Sequence, residues 1–285
     1  MSDLTYLDSV ILGIVEGLTE YLPVSSTGHL TIAEKVLGLP IDDPAITSYT
    51  AIIQIGAIVA TLLYFWKKIV TMVKDFFGGL RRPELRSEPP FKLAVAVVVG
   101  SIPVVIAALL FKDLIKGPLR SLWVVAFALI IWSGVMWFAE RRHAQLVARH
   151  EDKVGDGTVS PADGVFIGLM QCFSLVPGVS RSGATISAGL LRGLDRVTAT
   201  ELSFFMAIPA LVGAGLYEMK DVNFSVVGAG QLVVGTVVSF VVAYASIAWL
   251  LRFVKNNSLM VFIGYRVVLG LVLIGVLAAG VMQAT

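Results

Sequence analysis

Glu16 and Glu20 stand four residues apart, and "PVSSTGH" (23–29) follows at once. On a helix that spacing puts both carboxylates on one face. A carboxylate at membrane depth is costly and normally marks a functional site. No Lys or Arg precedes Lys35 to neutralise the pair locally. Two carboxylates in one pocket suit a hard divalent cation held by oxygens, Mg²⁺ or Ca²⁺. Pro23 ends a helix, and Ser25 or Ser26 can cap the next one. Capping explains one hydroxyl. It does not explain Ser25, Ser26 and Thr27 together with His29. A histidine a few residues from a serine serves as general base or as nucleophile.

A second polar interruption, "PGVSRSGAT" (177–185), sets Arg181 between Ser180 and Ser182, with Thr185 a turn later. Gly178 and Gly183 let backbone amides approach a ligand. A helix beginning there would aim its first N–H groups at an anion, and arginine suits bidentate phosphate recognition. An ion pair from Arg181 to Glu16 or Glu20 is the structural alternative, compatible with that role. Carboxylates for a metal, a hydroxyl or imidazole nucleophile and an arginine together fit phosphoryl transfer, where positioning and charge stabilisation carry most of the catalysis. Within a bilayer, a lipid-linked phosphate is the natural substrate.

The elements that must position these groups are apolar. The 285 residues are 56% hydrophobic and 15% charged, with mean hydropathy +0.85. A soluble domain has about 25% charged residues, so the composition predicts an all-α integral membrane protein. Net charge +2 gives no footprint for nucleic acid. The single cysteine, Cys172, excludes an intramolecular disulfide. "MSDLTYLDS" has acids and no basic n-region, so the apolar segments are expected to act as their own insertion signals.

Six segments are long enough to span: 49–66, 93–111, 121–139, 202–218, 227–251 and 259–282. Two more, 8–38 and 162–193, are broken midway by the two polar motifs, and their halves suit re-entrant hairpins. Basic residues cluster in 67–92, in 140–160, at Arg192 and Arg196, and at Arg252 and Lys255, which predicts a cytoplasmic position for all four regions. The 40–48 loop, "PIDDPAITS", has no base and is expected outside. The 112–120 loop, with Lys112, Lys116 and Arg120, falls outside against the trend. Both termini then lie outside, in the periplasm.

Shifted by 155 residues, 13–39 falls on 168–194 without a gap. Gly13/Gly168, Val24/Val179, Ser25/Ser180, Gly28/Gly183, Ala33/Ala188, Gly38/Gly193 and Leu39/Leu194 coincide, and Glu16/Gln171, Thr19/Ser174 and Thr27/Ser182 nearly do. Three spans separate the copies, and an odd number inverts the second. The single membrane domain, 1–285, is therefore read as two halves, 1–139 and 160–285, each a broken hairpin followed by three spans. Such inverted repeats bring interrupted helices together near the midplane. Non-helical backbone at that depth must be buried or line a wet cavity, so the two breaks should face one polar pocket.

At these residues the chain resembles the undecaprenyl-diphosphate phosphatase family, also called the bacitracin-resistance protein family. "EGLTEYLPVSSTGH" (16–29) and "PGVSRSGATIS" (177–187) carry the likeness, which extends to "IIQIGAI" (52–58) and "ELSFFMAIP" (201–209). The resemblance implies hydrolysis of undecaprenyl diphosphate to the monophosphate, recycling the carrier lipid for peptidoglycan synthesis and conferring bacitracin resistance. It also implies a divalent-metal requirement, an inner-membrane location and a site reached from the periplasm. The acidic motif of the family lands on Glu16 and Glu20, its serine and histidine on Ser26 and His29, and its arginine motif on Ser180, Arg181, Ser182 and Thr185. Whether Ser26, His29 or water attacks phosphorus is left open by the motif.

Gln54 and Glu201 are candidates for a supporting shell, Glu201 equally for a cap or loop. Arg266 is expected to pair with a pocket carboxylate or to sit near the interface. Tyr64, Trp66, Trp123 and Trp137 read as interfacial anchors. Small residues in "VVGAGQLVVGTVVS" (226–239) permit close packing within the chain or between chains, as in a homodimer. The rival function is a lipid-phosphate transporter or flippase, which the same broken hairpins would also serve.

Overall fold

The computed structural model describes residues 4–41, 43–218 and 227–284. Met1–Asp3 and Thr285, on which the predicted placement of the termini bears, lie outside the described residues, as do Asp42 of the acidic loop and Val226 of the small-residue stretch. Every regular element among the described residues is helical. Six helices are long and apolar enough to cross a membrane: α3 (Pro44–Tyr64), α5 (Pro89–Leu110), α7 (Leu122–Ala148), α10 (Arg196–Glu218), α11 (Ala229–Asn256) and α12 (Met260–Ala278). These are the six predicted segments, with boundaries moved by up to nine residues, the largest shift being at the end of α7. The protein is a multi-pass membrane protein.

The basic 67–92 connection is a helix rather than a loop for half its length. This is α4 (Trp66–Arg81), which follows α3 with only Phe65 between them. Its apolar residues recur at helical spacing, Ile69, Met72 and Phe76 facing the core while Lys67 and Lys74 face out. A short helix α6 (Lys112–Lys116) joins α5 to α7.

The two interrupted stretches are helix pairs. In the first, α1 (Tyr6–Thr19) begins with a capping box made by Thr5 and Asp8 and stops short of Pro23; α2 (Ser26–Val36) begins at Ser25, whose Oγ accepts from the Gly28 N–H. In the second, α8 (Pro161–Gln171) begins with a capping box made by Ser160 and Asp163, and α9 (Arg181–Leu191) begins at Ser180, whose Oγ accepts from the Gly183 N–H. Ser25 and Ser180 both have φ of 78°, in the left-handed region that non-glycine residues seldom occupy. Backbone strain of this kind persists where surrounding structure enforces it, typically at functional sites.

Small residues set the packing. A Cβ on Gly13 or Gly17 of α1 would stand 2.7 Å or 2.6 Å from the Gly235 and Ser239 carbonyl oxygens of α11. Gly164 and Gly168 of α8 meet α5 at Ala96 and Gly100 in the same way. So α1 packs on α11, α8 on α5, and α7 on α12. The small residues of the 226–239 stretch are thus used within the chain. Gly168→Val would drive a branched side chain into the Gly100 backbone. Overpacking costs about 1–3 kcal/mol, and the variant should melt several degrees below the parent in detergent. An unchanged melting temperature would show that the α5–α8 contact is loose.

One end of the bundle is knitted by charge. Lys68 bonds Asp156 and Glu201, Arg196 bonds Glu140 at 2.6 Å, and Asp163 bonds Arg192 at 2.7 Å and Lys153 at 3.1 Å. Burial works against the Lys68 ammonium, but hydrogen bonds to Asp156 and Glu201 outweigh it and hold its pKa above the usual value. Asp195 starts α10 by accepting from Val197 N at 2.9 Å and Thr198 N at 3.0 Å. Burial alone would raise its pKa; its hydrogen bonds, led by the Thr198 hydroxyl, bring it below the carboxylate range.

Candidate active site

The two breaks meet. Glu20, in the turn after α1, is 5% exposed. Its Oε2 accepts from the Ser26 hydroxyl at 2.5 Å, and its Oε1 accepts from Arg181 Nη2 at 3.2 Å. Arg181 is held from behind, its Nη1 donating to the Ser203 carbonyl at 2.8 Å. Ser182 crosses between the breaks, donating to the Leu22 carbonyl at 2.9 Å. One carboxylate therefore touches a hydroxyl from the first break and a guanidinium from the second.

Glu20, Ser25, Ser26, Thr27, Ser180 and Arg181 line a cavity of about 420 Å³. Its outer wall comes from the C-terminal halves of α5 and α10, Val104–Leu109 and Ala210–Tyr217, with Lys112. Pro103 and Pro209 stand inside those two helices at the start of the wall. The cavity thus lies toward the end of the bundle opposite the charge-knitted one.

Other predicted residues sit behind this wall. Ser182 and Gly183 do not line it, and Thr185 donates to the Arg181 carbonyl at 2.9 Å and meets the Ser203 hydroxyl at 2.7 Å. These side chains shape the arginine turn. His29 is also committed elsewhere: Nδ1 lies 2.7 Å from the Ser25 carbonyl, and Nε2 lies 2.6 Å from the Tyr265 hydroxyl. Because a carbonyl only accepts, the proton is assigned to Nδ1 and Nε2 accepts from Tyr265. The partner of the Ser26 hydroxyl here is Glu20, not His29.

Glu16 lies one turn before Glu20 and is wholly buried. Neither of its carboxylate oxygens receives a hydrogen bond from the described residues, and Glu20 and Arg181 are the charges that act on it. Among the described residues no group of three or more His, Cys, Asp and Glu could hold a metal. Glu16 stands behind the cavity wall that Glu20 lines, and its two unpartnered oxygens beside Glu20 fit a hard cation that completes its shell with water and a diphosphate.

Gln54 lines the cavity, whereas Glu201 joins Lys68 away from it. Among the described residues Arg266 pairs with no carboxylate. It is fully buried and donates to backbone carbonyls and to Ser133. Sequence reasoning missed Tyr265 and Ser203, which lie far from both motifs. It also passed over Gln171, a cavity-lining amide, wholly buried, whose side-chain N and O find no partner among the described residues. Its place opposite Glu16 in the shifted alignment was the available signal.

The profile of the family described as bacitracin resistance protein BacA matches residues 9–272. A Cutibacterium acnes protein named undecaprenyl-diphosphatase is 50% identical over 291 residues, covering 99% of this chain and 100% of its own length. Undecaprenyl-diphosphatase 1 of Streptomyces coelicolor is 50% identical over 285 residues and covers all of both chains. The undecaprenyl-diphosphatase of Mycolicibacterium smegmatis is 46% identical over 287 residues, covering 99% of this chain and 100% of its own length. On the profile match and these full-length identities, the chain belongs to the bacitracin resistance protein BacA family.

Proposed function

We propose that this protein hydrolyses undecaprenyl diphosphate to undecaprenyl phosphate and phosphate, recycling the carrier lipid for cell-wall synthesis. The observation that carries the reading is Glu20, bonded at once to Ser26 and Arg181 at the cavity wall. Full-length relatives near 50% identity bear the name of that activity. A lipid-phosphate carrier is not favoured. It needs an anion grip, but not a hydroxyl hydrogen-bonded to a carboxylate beside it.

In the proposed mechanism Arg181 holds the phosphoryl oxygens. The Ser26 hydroxyl attacks the terminal phosphorus and its proton passes to Glu20. The bond from that phosphorus to the bridging oxygen breaks, and undecaprenyl phosphate leaves. Water then cleaves the phosphoserine, releasing phosphate and restoring the hydroxyl. Ser25, Thr27 and Ser180 offer further polar contacts on the wall, and Ser182, Gly183 and Thr185 fix the arginine turn. Glu16, with Glu20 beside it, would hold Mg²⁺ or Ca²⁺, which when bound neutralises charge on the diphosphate. His29 positions Ser25, the cap of the helix that carries Ser26.

The proposed setting is an inverted repeat in the bacterial inner membrane. Features recur at the 155-residue shift: the capping boxes, the serines at φ 78°, the bounds of α2 and α9, and positive-φ glycines at 38 and 193. The packing is reciprocal, since α1 rests on the second span of the other half and α8 does likewise. At 1.5 Å per residue α1 reaches only about 21 Å, short of a roughly 30 Å hydrocarbon core, which supports re-entrant hairpins. Basic residues at the charge-knitted end support a cytoplasmic position for it, leaving the cavity, the start of α1 and the end of α12 on the periplasmic side.

The test is phosphate release from undecaprenyl diphosphate by the purified protein in detergent. Release should fall more than about a hundredfold in EDTA, since a bound metal contributes several kcal/mol of charge stabilisation, and should return with Mg²⁺ or Ca²⁺. Absence of release under metal-replete conditions would overturn the phosphatase reading. EDTA-resistant release would overturn the metal assignment alone.

A further inference from the structure

Arg266 is the largest fully buried side chain among the described residues, at 0% exposure in α12. A charge buried this way is expensive in a membrane unless polar partners surround it. Its partners are specific. Nη1 lies 3.3 Å from the Pro23 carbonyl and Nη2 lies 2.9 Å from the Gly178 carbonyl. On α7, Nη2 reaches the Leu129 carbonyl at 3.4 Å and Nε reaches the Ser133 hydroxyl at 3.2 Å.

Pro23 and Gly178 are 155 residues apart. They are the same position in the two shifted copies, each two residues before the strained serine cap and three before the first residue of the following helix. Those first residues are Ser26 and Arg181. One guanidinium therefore grips the equivalent carbonyl of each break, at equal chain distance from the hydroxyl and from the guanidinium that meet on Glu20.

We infer that Arg266 is a positioning residue: by tying the Pro23 and Gly178 carbonyls together and to α7, it sets the spacing between Ser26 and Arg181. The inference rests on the phosphatase reading and extends it. Arg266 does not line the cavity and touches no reacting atom. Its planar fork matters as much as its charge, because a lysine offers one nitrogen where arginine offers three.

The experiment is steady-state kinetics of purified Arg266→Lys in detergent, with melting temperature measured in parallel. A misplacement of about 1 Å can cost around a hundredfold in rate. We expect kcat to fall by about that factor with KM changed far less, and no rescue by the retained charge. In an Arg181→Lys background the same change should cost much less, because the geometry it protects is already lost. A purely structural arginine would give a lower melting temperature, unchanged kcat per folded molecule and additive effects, and that result overturns the inference. If Arg266→Lys does not fold, Ser133→Ala removes only the Nε acceptor. It should lower kcat severalfold, and wild-type kcat there overturns the inference equally. The parent protein controls for the activity itself: an inactive parent sinks the phosphatase reading, whereas an active parent with an indifferent Arg266→Lys sinks only the positioning role.

Discussion

Arg181→Ala is expected to lose about a thousandfold in kcat, the loss seen when a charge-stabilising donor is removed from a preorganised site. The side chain is the only positive group in contact with Glu20 among the described residues, and it stands at the cavity wall with its other end fixed on Ser203. Its removal leaves Glu20 without an ion-pair partner, which carries a stability cost. Ser26 still donates to that carboxylate, and the cavity gives it access to water, so the helix bundle should stay folded by gel filtration and circular dichroism. Arg181→Lys keeps the charge but loses the fork, and should fall between parent and alanine variant. Wild-type turnover in Arg181→Ala would remove the arginine from the mechanism.

Glu20→Gln keeps the shape of the side chain and removes its ability to take a proton. General-base catalysis contributes about 10²–10⁴ in rate, so turnover should drop by roughly a thousandfold with little change in melting temperature. Ser26→Ala should be comparably impaired. The pair acts as one unit, so the double variant should lose no more than the worse single variant. Multiplicative losses would show that the hydrogen bond between them does not operate in the reaction. Substantial activity in Ser26→Ala, with Glu20→Gln still inactive, would shift the attack from the hydroxyl to a water held by Glu20.

Much of this arrangement was legible in the residues themselves. Long apolar runs announced the six spanning helices, because twenty apolar residues have few other uses. The meeting of Glu20 with Arg181 followed from two polar breaks in one apolar chain, since backbone that leaves a helix at membrane depth needs company. What stayed hidden depended on three-dimensional contact. His29 lies three residues from Ser26 and looked like its base, yet the start of α2 turns it toward Ser25 and a tyrosine more than two hundred residues away. Arg266 looked like a partner for a carboxylate, because sequence offers charges to pair and hides carbonyls left free by broken helices. The helix α4 went unread because its lysines were counted for topology and its apolar spacing was not.

The first residues of α2 and α9 each follow a serine held at φ 78°, yet one is serine and the other arginine. In the proposed mechanism these matched positions carry unlike tools, one that attacks and one that grips. On that proposal a diphosphate, whose two ends also differ, would settle between them productively in a single direction, and the cavity would dictate which phosphorus is cut and which stays with the lipid.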